Sequence, residues 1–426
     1  MSDFFKDFTV PSLEQWHNKI TKDLKGKDFE ESLTNSYPLE EITFKANFHH
    51  STSNLKDEYP GSGDYKRGGR FDQNQWEIMA EVPSNLSAKE QNDYALKALM
   101  NGNTALRINF GDFDLEQCRI VVKDIGFEHI KAIITVSTEE QFNFAQDLAN
   151  TSPQNLRILS KTSVAKNICI DAREVLVSGG NSTQELAYAL HRGHEELHLL
   201  VSNGVSVDNA SACIHFKFGI GNLYFLEIAK FRVFRKLWSF IVEQYNPEHD
   251  CSKVATIEAQ SIDVNKSVKD PYTNLLRLTT ECLSAAVGGA DYILVRPYDQ
   301  RAKNKRPEFT QRMANNISLI LKEESYIDKV IDPAGGSYAL EAITESLEAN
   351  VWKRFQTLET GGIDAFKEDV KAIRNARILS LEKAHNTLIG INKFPNITDE
   401  DNAWLEAEQT VFGAELILER DAKVEM

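Results

Sequence analysis

The chain has 426 residues, of which 42% are hydrophobic and 26% are charged, and its net charge is −15. These proportions are ordinary for a globular protein with a sizeable core, built as one large domain with extensions or as two domains. A surface this acidic, without a compact stripe of lysine and arginine, repels phosphate backbones. We therefore predict no nucleic-acid partner.

The N-terminus and the hydropathy pattern indicate a cytoplasmic protein. MSDFFKDFTVPSLEQW has no basic region followed by an apolar stretch, and no run of 18 apolar residues occurs, so we expect no membrane contact. The cysteines form no C-x-x-C pair and are predicted to be free thiols in the core; they are Cys118, Cys169, Cys213, Cys251 and Cys282.

Residues 1–75 are polar and irregular, and they predict an extended arm. One short helix is expected over Leu13–Leu24, ended by Gly26. The glycine-rich stretch from Glu58 to Arg70 lacks the G-x-x-x-x-G-K-[ST] pattern, so it is not a phosphate-binding loop of that kind.

Apolar runs and amphipathic helical stretches alternate through residues 76–395. Eight runs have the character of strands: 105–110, 129–136, 156–159, 167–172, 212–217, 254–260, 291–296 and 328–332. Eight strands with crossover helices predict an α/β fold of the (β/α)8 TIM-barrel class. An open doubly wound sheet is the alternative, but no G-x-G-x-x-G follows the first run.

Beyond residue 340 the pattern is strongly helical. The sequence TGG at 360–362 is expected to separate two long helices. Residues 396–426 are acidic and are predicted to form a surface helix.

The sequence HEELH, from His194 to His198, matches the H-E-x-x-H zinc motif. On a helix it places His194 and His198 on one face with Glu195 beside them as a base, so a zinc metallopeptidase is one hypothesis. The alternative is a polar helix face outside the barrel. The pattern is short, and no supported third ligand follows it.

Three charged residues end the run NICIDA: Asp171, Arg173 and Glu174. Charges at the carboxyl end of a barrel strand are typical of a functional site. The competing interpretation is an arginine–carboxylate pair that closes the barrel mouth. The residues alone leave both interpretations open.

Seven segments, in order along nearly the whole chain, are similar to motifs of one family. They are W16 with KDLKG (22–26), YPGSGDYKRGG (59–69), ELAYAL (185–190), FGIGNLYFLEIAKFRVFRKLW (218–238), DPYTNLLRLTTECLSAAVGG (270–289), DPAGGSYALEAIT (332–344) and IGINKF (389–394). The chain is identified on these residues as a member of the methylmalonyl-CoA mutase family. The resemblance implies a (β/α)8 acyl-CoA domain and radical carbon-skeleton chemistry supplied by adenosylcobalamin.

The catalytic positions of the family are changed here. Its Tyr-His pair before the ELAYTL helix aligns with Arg173 and Glu174, and its GGTQSLHTN becomes GGADYILVR, with Asp291 and Leu294 in place of Gln and His. Its RAHCQTS keeps only Gln260 and Ser261. No histidine here has an aspartate two residues before it, so the family's cobalt-ligating D-x-H-x-x-G is absent.

The resemblance therefore implies the family's small, or beta, subunit. On this hypothesis the chain holds no cofactor and no catalytic residue, and it stabilises a catalytic large (alpha) subunit that carries adenosylcobalamin and interconverts methylmalonyl-CoA and succinyl-CoA. The N-terminal arm would contact that partner, and the isolated chain could form a homodimer. The alternative hypothesis is an active acyl-CoA mutase barrel that uses a cobalamin domain on a separate chain.

Overall fold

The computed structural model describes residues 11–49, 59–61, 63–160, 167–395 and 403–423. It begins with helix α1 (Leu13–Asp23), whose capping box joins Ser12 and Gln15, and the next residues reach Gly26 at φ 90°. The predicted first helix is therefore confirmed. A second short helix leads into an antiparallel hairpin: α2 (Phe29–Leu33), β1 (Thr34–Tyr37) and β2 (Ile42–Lys45).

Eight parallel strands follow and close into a barrel. They are β3 (Glu77–Glu81), β4 (Ala105–Asn109), β5 (Lys131–Val136), β6 (Leu156–Ser160), β7 (Ile168–Asp171), β8 (Ile214–Ile220), β9 (Ile257–Ser261) and β10 (Tyr292–Leu294). Neighbours in the sheet are neighbours in the chain, and β10 pairs with both β9 and β3. Among the described residues, one parallel bridge, Leu159 to Asn167, joins β6 to β7. The (β/α)8 class is confirmed.

Two details of the strand prediction were wrong. The first strand, Glu77–Glu81, was missed, and the run 328–332 is not a strand. Ile327–Lys329 form a turn of 3-10 helix, and Asp332 has φ 46°. A left-handed residue cannot continue a strand, so the chain turns at this point.

Helices cover the outside of the barrel. They are α3 (Ala88–Met100), α4 (Leu115–Val121), α5 (Glu139–Thr151), α6 (Arg173–Val177), α7 (Ser182–Ser202), α8 (Val207–Cys213), α9 (Tyr224–Glu243), α10 (Thr273–Val287) and α11 (Pro307–Leu319), with a π-helical turn at Ile320–Glu324. Capping boxes begin α3 at Ser87, α4 at Asp114 and α7 at Asn181. Each box satisfies backbone donors that the first turn leaves free, and so fixes where the helix starts.

Alternation along the strands separates two cores. In β8, Phe216 and Phe218 point outward onto Phe234 of α9, with ring centroids 4.6 and 4.7 Å away. The barrel interior holds a small apolar layer of Met79, Ala105, Ile133, Leu159, Tyr292 and Leu294. Polar side chains occupy the other inward positions of β4, β8 and β9, because successive strand residues face opposite sides.

The last part of the chain packs back on the barrel. Helix α12 (Tyr338–Glu382) lies against α7 and α9, and Gly362 breaks it with φ 77° and ψ 171°. The predicted break at TGG is therefore confirmed. The described part of the tail is not the predicted surface helix: it forms a small hairpin, β11 (Gln409–Thr410) and β12 (Gly413–Ala414), and only α13 (Leu418–Asp421) is helical.

Candidate functional site

The floor of the barrel interior is a charged cluster on three strands. Arg107 of β4 and Lys217 of β8 both approach Glu258 of β9, and the Lys217 Nζ lies 3.5 Å from Glu258 Oε1. Burial would raise the pKa of Glu258, but the two cations lower it to about 2. The pKa of the fully buried His215, 3.8 Å from Glu258, falls to about 3 because burial disfavours its charge. His215 is therefore neutral.

A cavity of about 870 Å³ lies above this floor. Its wall includes Gln260 and Leu294, and the loops after β3 and β10 border it. This is the end of a (β/α)8 barrel at which active sites are built. A cavity therefore lies at the end of the barrel where the sequence placed Asp171 and Arg173.

The three charged residues Asp171, Arg173 and Glu174 lie in two different environments. Arg173 Nη2 donates to Asp171 Oδ2 at 2.9 Å, and both side chains line the cavity. Burial alone would lower the pKa of Arg173, but Asp171 holds it above its ordinary value. Glu174 does not pair with Arg173; it accepts the backbone N–H of Val411 at 3.3 Å, and burial raises its pKa. The carboxylate that pairs with Arg173 at the mouth is therefore Asp171 and not Glu174.

Asp291 and Leu294 lie at different heights in the barrel. Leu294 lines the cavity and is buried. Asp291 precedes β10 at the opposite end, where it accepts from Arg70 at 2.6 Å and from the N–H of Ile257 at 2.8 Å. The two positions that the alignment marks as changed therefore lie at opposite ends of the barrel.

The C-terminal segment, residues 403–423, lies across one side of the mouth. Leu416 N–H donates to the Val177 carbonyl at 2.7 Å, and Leu418 N–H to the Val264 carbonyl at 3.1 Å. Leu416 is buried against Leu176 and other apolar residues of the loops after β7 and β9. Sequence reasoning missed this covering, and only the apolar run AELILE hinted at it.

The HEELH residues lie on the outer face of α7 and are held by ordinary contacts. His191 Nδ1 lies 2.7 Å from Glu359 of α12, and His194 Nδ1 lies 3.5 Å from the same carboxylate. His198 contacts the Tyr245 hydroxyl. Within the described residues, three potential metal ligands come together only at Asp208, Glu248 and His249. The HEELH residues do not belong to that group, so the geometry gives the zinc hypothesis no support.

The N-terminal end of the barrel carries a second ionic cluster, built from the family-like segments. Arg232 of α9 is fully buried and pairs with Asp332 and Glu341. Arg67 donates to Asp332 at 2.8 Å. A Cβ on Gly335 would lie 2.4 Å from Asp332 Oδ2, so the cluster requires glycine there. These residues join the YKRGG, IAKFRVFRKLW and DPAGGSYALE segments.

A third buried cluster lies where β8 leads into α9. Lys230 is fully buried and lies 3.0 Å from Glu185 Oε2, and it also pairs with Glu227. Glu185 Oε1 accepts the N–H of Gly219 at 2.7 Å. Two carboxylates share one ammonium here, and burial raises the pKa of Glu185 to about 8. The ELAYAL and FGIGN segments therefore meet in a packing role.

An open groove of about 1330 Å³ lies away from the mouth, between the loop 63–71, α9 and α12. Its lining includes Phe71 and Phe240, which are 79% and 48% exposed, together with Trp352. Aromatic side chains exposed to this extent around one groove are typical of an interaction surface.

None of the helices that the structure describes combines the length and the apolar character needed to cross a bilayer.

Among solved structures, a Yersinia pestis dihydropteroate synthase with a pterine-sulfa conjugate matches 58% of this chain and 95% of that one, with 11% identity and a TM-score of 0.32. A likeness this low adds nothing to the fold described above.

Sequence comparison gives a stronger result. The family profile described as methylmalonyl-CoA mutase matches residues 137–418. A methylmalonyl-CoA mutase small subunit of Porphyromonas gingivalis is 32% identical over 93% of this chain and 71% of its own length. The small subunit of Streptomyces virginiae is 28% identical over 92% and 72%. A methylmalonyl-CoA mutase of Rhizobium meliloti is 30% identical, over 54% of this chain and 33% of its own. The chain therefore belongs to the methylmalonyl-CoA mutase family, among the relatives of its small subunits.

Proposed function

We propose that this chain is the non-catalytic small subunit of a heterodimeric methylmalonyl-CoA mutase and that it stabilises a catalytic large subunit. The observation that carries the proposal is the composition of the barrel mouth. Asp171 and Arg173 neutralise each other there, and Glu174 accepts a backbone N–H of the C-terminal segment. A carboxylate used as an acceptor in this way cannot donate a hydrogen bond to an acyl carbonyl.

The position of the histidine nearest to the cavity also argues against substrate chemistry at this mouth. The only histidine among the barrel strands that the structure describes, His215, is fully buried beside Glu258 and lies below the cavity. Because His215 is fully buried and is not among the residues that line the cavity, it does not contact a substrate held above Gln260.

The proposal assigns adenosylcobalamin to the large subunit. It is supported by residues 410–418 of the chain itself, which lie over the ends of β7 and β9 and are bonded to Ser178, Val177 and Val264. The cytoplasmic location remains a prediction.

A partner surface is the second requirement of the proposal. The groove at Phe71, Phe240 and Trp352 supports it, because apolar area of this kind is stabilised when a partner covers it. The N-terminal arm was predicted to contact the partner as well, and α1 has no buried residue in the isolated chain.

The test is co-expression with the large subunit encoded in the same genome, followed by mass measurement and a mutase assay. We expect a one-to-one complex whose turnover is unchanged by Glu174→Gln, with Glu195→Gln on the exposed face of α7 as the matched control. The isolated chain, given adenosylcobalamin and methylmalonyl-CoA, should yield no succinyl-CoA.

Two results would contradict the proposal. One is a chain that stays alone in the presence of the large subunit. The other is loss of turnover in Glu174→Gln but not in the control, which would make the mouth an active site. Turnover by this chain with a separate cobalamin-domain protein would establish the alternative, an active barrel with its cofactor on another chain.

A further inference from the structure

The groove between the loop 63–71, α9 and α12 contains an aromatic corner. The rings of Phe240 and Trp352 stand nearly perpendicular, with centroids 5.5 Å apart and an interplanar angle of 79°. Phe71, from the loop, adds a third exposed ring, and a side chain on Gly61 would collide with it. The faces of aromatic rings carry negative electrostatic potential and attract cations. The corner therefore suits an apolar or a positively charged group.

The charged side chains that line this groove are mostly carboxylates. The acidic residues are Asp64, Glu243, Asp250, Glu345 and Glu348, and the basic residues are Lys236 and Lys253. Each lysine lies between two of the carboxylates, at distances from 2.7 to 3.8 Å. Five carboxylates against two lysines leave the lining with three negative charges in excess. Glu345, Glu348 and Trp352 recur at helical spacing, so α12 presents acidic and aromatic side chains on one face.

The ionic cluster beside the groove offsets only part of this charge. Around Arg67, Arg232, Asp332 and Glu341 lie three more cations and one more carboxylate: Lys66, Arg70, Arg235 and Asp291. The two regions together retain one negative charge. None of these eight side chains lines the groove, and the nearly buried Arg235 donates to the carbonyls of Gly288 and Gly289. The cluster therefore places no cation in the groove.

The exposure of the charged groups decides what an incoming molecule meets. The side chains of Asp250 and Glu243 are 86% and 60% exposed, whereas those of Lys253 and Lys236 are 12% and 29% exposed. Glu345 is exposed as well. A molecule that enters the groove therefore meets carboxylates and ring faces. This arrangement repels an anion and suits a guanidinium, which is planar, stacks on aromatic rings and binds carboxylates.

A second copy of this chain is a poor match for the groove. A two-fold contact through the groove would bring the same carboxylates of both copies together. The net charge of −15 on each chain adds to their repulsion. The groove therefore calls for a partner with a different charge pattern.

We propose that the groove receives a basic segment of the large subunit and that an arginine of this segment packs against Phe240 and Trp352. The occupant depends on the proposed function, because that function supplies the large subunit as partner. Tryptophan and arginine are over-represented among the residues that dominate binding energy at protein interfaces. Glu243 and Glu345 pair with basic residues of the same segment, so the affinity should fall as the salt concentration rises.

The experiment measures the affinity of the full chain for the large subunit by isothermal titration calorimetry at low and at high salt. Glu345→Lys should weaken binding by about tenfold at low salt, because it brings like charges together, and by less at high salt. Glu368→Lys is the matched control. It makes the same change at a position of α12 that is 74% exposed and lies outside the groove, and it should bind as the wild type does.

A second pair of variants tests the aromatic corner. Phe240→Ala should weaken binding by about tenfold at both salt concentrations, because it removes one of the two ring faces. Phe225→Ala, near the start of the same helix and 55% exposed, is the matched control. Circular dichroism establishes that each variant is folded, and Glu345→Lys carries the test if Phe240→Ala does not fold.

The possible results distinguish this proposal from the proposed function. If the wild type does not bind the large subunit, both are overturned. If it binds and the folded groove variants bind as their controls do, the proposal for the groove alone is overturned. It is also overturned if Glu345→Lys strengthens binding, or if the isolated chain forms a homodimer that Phe240→Ala disrupts, because a second copy would then be the occupant.

Discussion

The two ends of the barrel have been treated differently in this chain. At the N-terminal end, two arginines and two carboxylates (Arg67, Arg232, Asp332 and Glu341) form a balanced cluster from segments that closely match the family motifs. At the C-terminal end, Arg173 pairs with Asp171, and the chain covers part of the mouth itself. The difference indicates that the requirements of folding and of chemistry can be separated along the axis of one barrel.

This separation has a physical basis. In a (β/α)8 barrel, the loops after the strands hold the chemistry, whereas the loops before them contribute to stability. A barrel can lose groups from the first set and remain folded, but it cannot lose the second set. Perturbing each end in turn should therefore give effects of different size.

The largest effect is expected at the N-terminal end. Arg232→Met removes the cation that Asp332 and Glu341 share inside the protein, and breaking a buried ion pair in this way costs about 3–5 kcal/mol. Urea unfolding of the isolated chain measures the change. Lys19→Met, in an exposed pair on α1, is the control and should have little effect. Equal unfolding midpoints for the two variants would contradict the assigned role of this end.

A large effect is also expected where the chain covers its own mouth. Leu416→Ala removes a fully buried side chain from the contact with Leu176 and Val177, which should cost about 3 kcal/mol. The same change should expose residues 403–423 to protease. Val411→Ala, at a position that is 52% exposed, is the matched control. If Leu416→Ala leaves both unfolding and proteolysis unchanged, the covering contributes nothing to stability.

The pH response should distinguish the cluster at Lys230 from the balanced one. Burial raises the pKa of Glu185 from an ordinary 4.5 to about 8. The folded state then binds a proton that the unfolded state has released, so the free energy of unfolding should fall as pH rises through this window. The slope for one proton is about 1.4 kcal/mol per pH unit. Glu185→Gln should flatten it, as urea titrations between pH 5 and 8 would measure.

Glu195→Gln, on the exposed side of α7, should leave that slope unchanged. Identical slopes in the wild type and Glu185→Gln would mean that Glu185 is ionised when folded. In that case the cluster at Lys230 would behave like the balanced cluster at Arg232.

The smallest effect is expected at the mouth pair. Asp171→Asn removes the partner of Arg173, but both side chains keep partial contact with solvent, so the cost should stay below about 1 kcal/mol. The mutase activity of the complex should not change. A decrease of more than about 2 kcal/mol in the free energy of unfolding would show that the mouth pair contributes to stability as the N-terminal cluster does. A loss of turnover would show that the pair takes part in catalysis.

Alternation and helix signals were sufficient to predict the barrel, but not its first strand. The sequence EIMAE has a glutamate at each end, and only Ile78, Met79 and Ala80 are buried in it. The run at 328–332 contains two adjacent β-branched residues, Val330 and Ile331, yet the Asp328 carbonyl accepts the N–H of Asn74 and the chain turns. Both errors depend on contacts between residues far apart in sequence.

The sequence predicted where the candidate site lies, but not which residues pair within it. Arg173 and Glu174 are neighbours in sequence, but consecutive residues point about 100° apart on a helix. One therefore faces the cavity, while the other faces a segment more than 230 residues later in the chain. Neither the C-terminal covering nor the charged cluster around Glu258 could be read from local sequence, because each is assembled from distant strands and loops.

Among the described residues, one bridge, between Leu159 and Asn167, joins β6 to β7, so hydrogen bonding at this seam closes the barrel less fully than elsewhere. Every other neighbouring pair of the described strands is joined by a ladder of paired residues. Exchange with deuterium should therefore begin along this seam while the strands opposite, β3 and β10, remain protected. The seam between β6 and β7 is therefore where we expect local opening of the barrel to start.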